Sequence, residues 1–533
     1  MAAALVAPLL VMACGADPDP LAELDARYTA IMVDVGVSSR DTAKNVRNKE
    51  ARRRKVEAEQ ARVSFFSDKG VQRAIEEARQ AEPGTWLREK ADAYWRHLIL
   101  ARSWTPDEKR DEARLLGRLE EERTVEGSWL SPDGETEVSL NRGWGSVSRE
   151  VEETTDEIRA ALAQSFIEHR MRVVGTDLQD LVRLRNKVAK REGFSNYWEL
   201  ALAAEGLTPE DVDKVIEDLW EVVRPVNEQI QSHITEISGR TELTDTFANR
   251  PLLRRLAGMD QGISAAEDYF DADLAEDRIM TAFQDMGIET EGWQVYSGPQ
   301  RYVRPGAYSF PIRPPEFVAI VMSKDRRWGM WQYRALAHEG GLAVWWKALD
   351  AERAASPVLW DPTAPWFEGM GQFFERILHE PSFLARYVPE LPDELRVTIS
   401  DWRTRRIATW VTSSIIQTLV ERRLYEDPSN LEAITRFAAE TRSHYTGAPL
   451  GPQLESGLHY DSSLLSSILW NYPAYSQNYL FAYMTEAWLY EAVAAQVGDP
   501  VANKDVGPLL RDKIIRVQPG ISFPERIAAL LPG

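Results

Sequence analysis

Apolar residues recur at helical spacing along most of the chain. In LTPEDVDKVIEDLWEVV, Val212, Val215, Ile216, Leu219 and Val223 fall on one face, which predicts an amphipathic helix with a buried side. Its start is written locally: Thr208 caps, Pro209 suits the first helical position, and Asp211 completes a capping-box-like opening. The same Thr-Pro-acid opening recurs at Thr105 in WTPDEKRDEARLL. Strand signals are sparse. The clearest is EFVAIVMS, Glu316 to Ser323, a β-branched and apolar run between Arg313-Pro314-Pro315 and Lys324-Asp325. The next pattern, WGMWQYRALAHEGGLAVWWKALD, is helical in length and content, although Gly340 and Gly341 each weaken an isolated helix by about 1 kcal/mol. A glycine pair kept at that cost predicts the close approach of another element. SPVLWDPTAPW, Ser356 to Trp366, reads as a loop, and EGMGQFFERILHEP, Glu368 to Pro381, as the helix after it. The expected class is mainly α.

Composition narrows the function classes. A chain of 533 residues can bury a large core, and its length alone allows more than one domain. Acidic residues exceed basic ones by 83 to 63, a net charge of −20, which argues against a nucleic-acid partner. The 18 tryptophans and 17 tyrosines suit cores and deep ligand grooves alike. SSRDTAKNVRNKEARRRKVEAEQARV is basic and helix-prone, and reads as a solvated helix face. The single cysteine ends the apolar run MAAALVAPLLVMACG, and Val11-Met12-Ala13-Cys14 resembles a bacterial lipoprotein signal, although the run lacks an initial Lys or Arg. The resulting division is a signal segment over 1–14, a tether and basic helix over 15–60, and a main domain over 61–533. No later run reaches the ~18 apolar residues of a membrane span, so the expected membrane contact of this exported, periplasmic-face protein is a lipid on Cys14.

The chemistry-bearing stretch is RALAHEGGLAVWW, Arg334 to Trp346. In a zinc hydrolase helix two histidines at i and i+4 bind the metal from one face, and the glutamate after the first activates the bound water. His338 and Glu339 stand in those places. Four further stretches lie in order around them: RPGAYSFP (304–311), QFFE (372–375) with Glu380-Pro381 behind it, NYPAYSQNYLFAYMTEAW (471–488) and GFSNYWELAL (193–202). Together they resemble the thimet-oligopeptidase and oligoendopeptidase family of zinc peptidases, with angiotensin-converting enzyme as a more distant relative. The likeness spans roughly residues 190 to 490, its metal-site and tyrosine segments lying within 300–490. It implies a mainly α, two-lobed helical ellipsoid with a deep peptide channel, the metal helix on its floor and a small β-sheet next to that helix. By the same likeness His338 and Glu375 would ligate zinc, Glu339 would be the general base, and Tyr475 and Tyr479 would donate to an oxyanion. Gly306, Ala307, Tyr308 and Ala319 would border the peptide.

The pattern breaks at Leu342, which stands where the second histidine belongs and has no donor atom. A catalytic zinc normally keeps three protein ligands, so zinc occupancy is doubtful on sequence grounds. The family's histidine upstream of the tyrosines is also missing, its neighbourhood being Leu469, Trp470 and Asn471, and Trp346 adds an apolar group one turn beyond Leu342. His379, four residues after Glu375, is a candidate substitute ligand. The expectation is an oligopeptidase homologue that binds peptides with impaired hydrolysis; the alternative is an active metallopeptidase with a non-standard metal site that uses His379.

Overall fold

The computed structural model describes residues 19–124, 128–130, 137–139, 156–238, 263–299, 301–304, 306–324, 329–360, 362–447, 464 and 467–531. Cys14 and the signal-like run lie outside them. Helices dominate, as the apolar spacing predicts. Two short strands, β1 (Ser128–Leu130) and β2 (Glu137–Ser139), form an antiparallel pair. The sheet that matters to the site has three strands: β3 (Trp293–Pro299), β4 (Ala307–Arg313) and β5 (Phe317–Lys324). Their order is β3-β5-β4, with β3 parallel and β4 antiparallel to β5. The apolar run read from the sequence is thus the central strand, almost wholly buried as a run without alternation requires, and β4 forms an edge.

Two large cores flank the middle of the molecule. One gathers the sheet with the helices α6 (Gly329–Lys347) and α7 (Ala364–Leu378). The other gathers α3 (Asp156–Arg191), α4 (Tyr197–Ala204), α5 (Pro209–Ser238) and α8 (Asp393–Glu426). A later helix, α10 (Ser476–Val497), spans both: Leu480 and Phe481 pack in the second core, Leu489, Ala492 and Val493 in the first. Between α8 and α10 lies α9 (Leu431–Thr446), packed on α8.

α6 is buried on nearly every face, which is why its apolar residues show no single stripe. Its glycines let neighbours in. A Cβ on Gly340 would stand 2.5 Å from the Phe283 ring, and one on Gly341 would stand 2.7 Å from the Met370 carbonyl oxygen of α7. The close approach expected from the pair is twofold: Gly340 admits the Phe283 ring, and Gly341 the crossing of α6 and α7.

Within the stretch read as tether and basic helix, α1 (Ala22–Lys44) buries Leu24 and Tyr28 and runs against β4, where a Cβ on Gly36 would meet the Pro311 carbonyl at 2.8 Å. α2 (Lys49–Ser67) exposes its charges and pairs them along its own surface, Arg53 with Glu50 and Glu57. Among the described residues no helix is long and apolar enough to cross a membrane.

Candidate functional site

The α6–α7 crossing brings His338 and three carboxylates together. Gly371 of α7 leaves room for the His338 ring, since a Cβ there would lie 2.6 Å from its Cε1. Nε2 of His338 faces Glu368 Oε2 at 3.3 Å, and Nδ1 faces Glu375 Oε2 at 3.7 Å. Burial alone would hold this imidazole neutral, but the two carboxylates override it and raise its pKa well above the ordinary value. That direction favours the protonated ring in its place between the two carboxyl groups.

Glu375 is committed elsewhere as well. Its Oε1 accepts from Nε and Nη2 of Arg334 at 2.9 and 2.8 Å, and from Nη1 of Arg406 at 2.8 Å. Burial works to raise its pKa, yet Arg334 and His338 hold the carboxyl well below the usual carboxylate range. Arg334 sits one turn before His338 on the same face of α6, and Arg406 reaches in from α8.

Glu368 completes the other side. Tyr475 donates its hydroxyl to Glu368 Oε1 at 2.5 Å. Tyr475 occupies the N-cap position of α10 rather than a helical turn, and its ring meets that of Tyr479 edge-on at 5.5 Å. Burial, then Glu368, push both phenols well above their ordinary pKa, so both stay protonated donors. The hydroxyl of Ser309, on β4, lies 2.6 Å from Glu339 Oε2 and 2.9 Å from the Glu339 carbonyl. Burial raises the Glu339 pKa against the opposing pull of His338 and Ser309, a direction that suits a proton acceptor working near neutrality.

The apolar substitutions are packed. Leu342 is 7 % exposed and belongs to the core around the sheet, and Trp346 lies against Phe367 with ring centres 5.0 Å apart. His379 caps the end of α7 and turns back onto it: Nδ1 lies 2.6 Å from the Glu375 carbonyl, and the ring is 5.8 Å from Trp402. Burial lowers its pKa to about 3, so it is neutral, and its described hydrogen bond goes to helix backbone, not to the His338 cluster. Among the described residues no group of three His, Cys, Asp or Glu side chains is set to hold a metal ion.

Of the four residues expected to border a peptide, Gly306, Ala307 and Tyr308 are half-buried at or near the start of edge strand β4. Ala319 lies on the central strand, 1 % exposed and paired with Gln294 and Phe310. Sequence reasoning missed Arg334, Glu368, Arg406 and Ser309. Two of these carried a signal: Arg334 is four residues before His338, and Glu368 is two turns before Glu375 on the same helix.

No protein-family profile matches the sequence, and no curated protein matches it either. Among solved structures, the chain is similar to the crystal structure of M32 carboxypeptidase from Deinococcus radiodurans R1, with a TM-score of 0.64 and 14 % identity. The superposition covers 96 % of this chain and 95 % of that one. The overlap runs through both cores and the site between them, so this chain has the helical fold of that carboxypeptidase.

Proposed function

We propose that the protein binds peptides at the site around His338 and that its hydrolytic chemistry is impaired. One observation carries this reading: Arg334 and Arg406 occupy Glu375, and Leu342 offers no donor in the place of a second histidine. A catalytic zinc needs about three protein donors and an open position. His338 and Glu368 supply two at most, and the Glu375 oxygen nearest the arginines is already spent on three N–H groups. Charge points the same way. Arg334 and Arg406 pair with Glu375, and His338 lies between Glu368 and Glu375, so two of the carboxylates that a metal dication would balance already have basic partners. The donor set does not fit the zinc that the resemblance implies.

What remains suits recognition. The edge strand β4, Ser309, and the phenols of Tyr475 and Tyr479 offer hydrogen-bonding groups to an extended backbone. Export and a lipid on Cys14 belong to the same proposal, and loss of lipid labelling in Cys14→Ala would follow from it. A second reading, active peptide hydrolysis, draws on Glu339, whose raised pKa and place beside His338 would serve a water-activating base. Incubating the purified protein with fluorescent oligopeptides, with and without a chelator, separates the two. Saturable binding with peptides recovered intact is expected; chelator-sensitive cleavage would favour the second reading.

A further inference from the structure

The chain is strongly acidic, with a net charge of −20, yet one face beside the candidate site is basic and aromatic. It is built from two segments laced together by backbone. Val46 N–H donates to the Tyr302 carbonyl at 2.8 Å, and Arg304 N–H to the Ala43 carbonyl at 2.8 Å, which joins the α1–α2 turn to the loop between β3 and β4. Val303 and Ala43 are buried beneath this junction with Val321. A packed apolar floor therefore fixes the side chains above it.

Those side chains form a row of cations on tyrosine faces. Lys44 Nζ stands 4.6 Å from the Tyr296 ring centre, Arg47 5.5 Å and Arg301 4.8 Å from that of Tyr302, and Arg304 4.3 Å from that of Tyr308. Stacking on a ring orients a guanidinium without neutralising it, and leaves N–H edges to meet a carboxylate. Lys44, Arg47 and Arg301 have no carboxylate within ion-pair distance among the described residues, in contrast to Arg40 with Asp41 and Arg53 with Glu50.

The row runs into the candidate site. Arg304 Nη2 lies 3.4 Å from the Tyr472 hydroxyl, the Tyr472 and Tyr475 rings are 5.8 Å apart, and Tyr475 holds Glu368. On the sheet side, Tyr308 precedes Ser309, the partner of Glu339. A chain extended along β4 would thus leave the site over Tyr308 and Arg304 and reach Arg301 and Arg47. From this continuity, and resting on the peptide-binding reading above, we propose that Lys44, Arg47, Arg301 and Arg304 form a subsite for acidic side chains, so that the preferred ligand is a peptide with Asp or Glu residues on the segment outside the site.

The test is fluorescence anisotropy with the full chain and two peptides of one sequence, one carrying a Glu-rich end and one with those residues replaced by Gln. The expected result is at least about tenfold tighter binding of the Glu peptide, an advantage that shrinks as salt is raised. It should be lost in Arg47→Gln/Arg301→Gln, whose Gln-peptide affinity stays unchanged, and kept in the control Arg53→Gln. Equal affinities for the two peptides, or an advantage that survives the double substitution, would overturn the subsite while leaving peptide binding intact. Binding of neither peptide would overturn both proposals. Tighter, Arg301-dependent binding to anionic phospholipid vesicles than to the Glu peptide would assign the patch to a membrane surface instead.

Discussion

Glu375 shows how much one carboxylate can reveal about its site. Its Oε1 takes three N–H groups from two guanidiniums in a buried setting, and its Oε2 faces the His338 ring at 3.7 Å. Removing one partner of such a network strands the others without compensation. Glu375→Ala should therefore destabilise the protein by roughly 3–5 kcal/mol in urea titrations, and a loss below about 1 kcal/mol would mean that the arginines find solvent instead. His338 and Glu339 could be named from the sequence because the dipeptide sits in an informative setting. Arg334 was equally legible, one helical turn away, but a cation has no place in a metal motif and attracted no reading. Arg406 had no local signal at all: it meets Glu375 only because α8 packs beside α7, a contact that spacing within either helix does not encode.

Among the elements, the helices and the strand over 317–324 follow from apolar periodicity, and the Gly340-Gly341 pair announced a close crossing. Sheet order was beyond reach, because pairing depends on partners that are not neighbours in sequence; hence a strand expected to border the peptide lies in the centre, and β4 takes the edge. The segment before α10 is set by buried polar groups of the second core. Arg185 donates to the Trp470 carbonyl at 2.7 Å, and Glu421 accepts from the Ala474 N–H at 2.6 Å, where Ala474 has a φ of 55°. These contacts fix the turn that aims Tyr475 at Glu368. Burial pushes the Glu421 carboxyl up from 4.5 to about 7, so the folded protein keeps this proton while the unfolded chain has released it. Its contribution to stability accordingly falls as pH rises between those values. Glu421→Gln, which mimics the neutral acid, should flatten that part of the stability profile; an unchanged slope between pH 5 and 7.5 would show that the carboxyl titrates normally.

For the molecule as a whole, 14 % identity with a TM-score of 0.64 means that the two chains share an architecture while differing at most side chains. A helix spans the two cores, and the buried polar groups around His338 are paired with one another, Arg334 and Arg406 on Glu375 and His338 between Glu375 and Glu368. The missing histidine, together with the capture of Glu375 Oε1 by two arginines, is the reason to expect binding without hydrolysis. Leu342→His restores the absent donor one turn from His338, so it puts these ion pairs in competition with a metal. The decisive measurement is zinc stoichiometry, with peptide cleavage, for the purified parent and Leu342→His side by side. The account predicts no stoichiometric zinc and no chelator-sensitive cleavage in the parent, with zinc gained in the variant. Stoichiometric zinc and cleavage in the parent would contradict it.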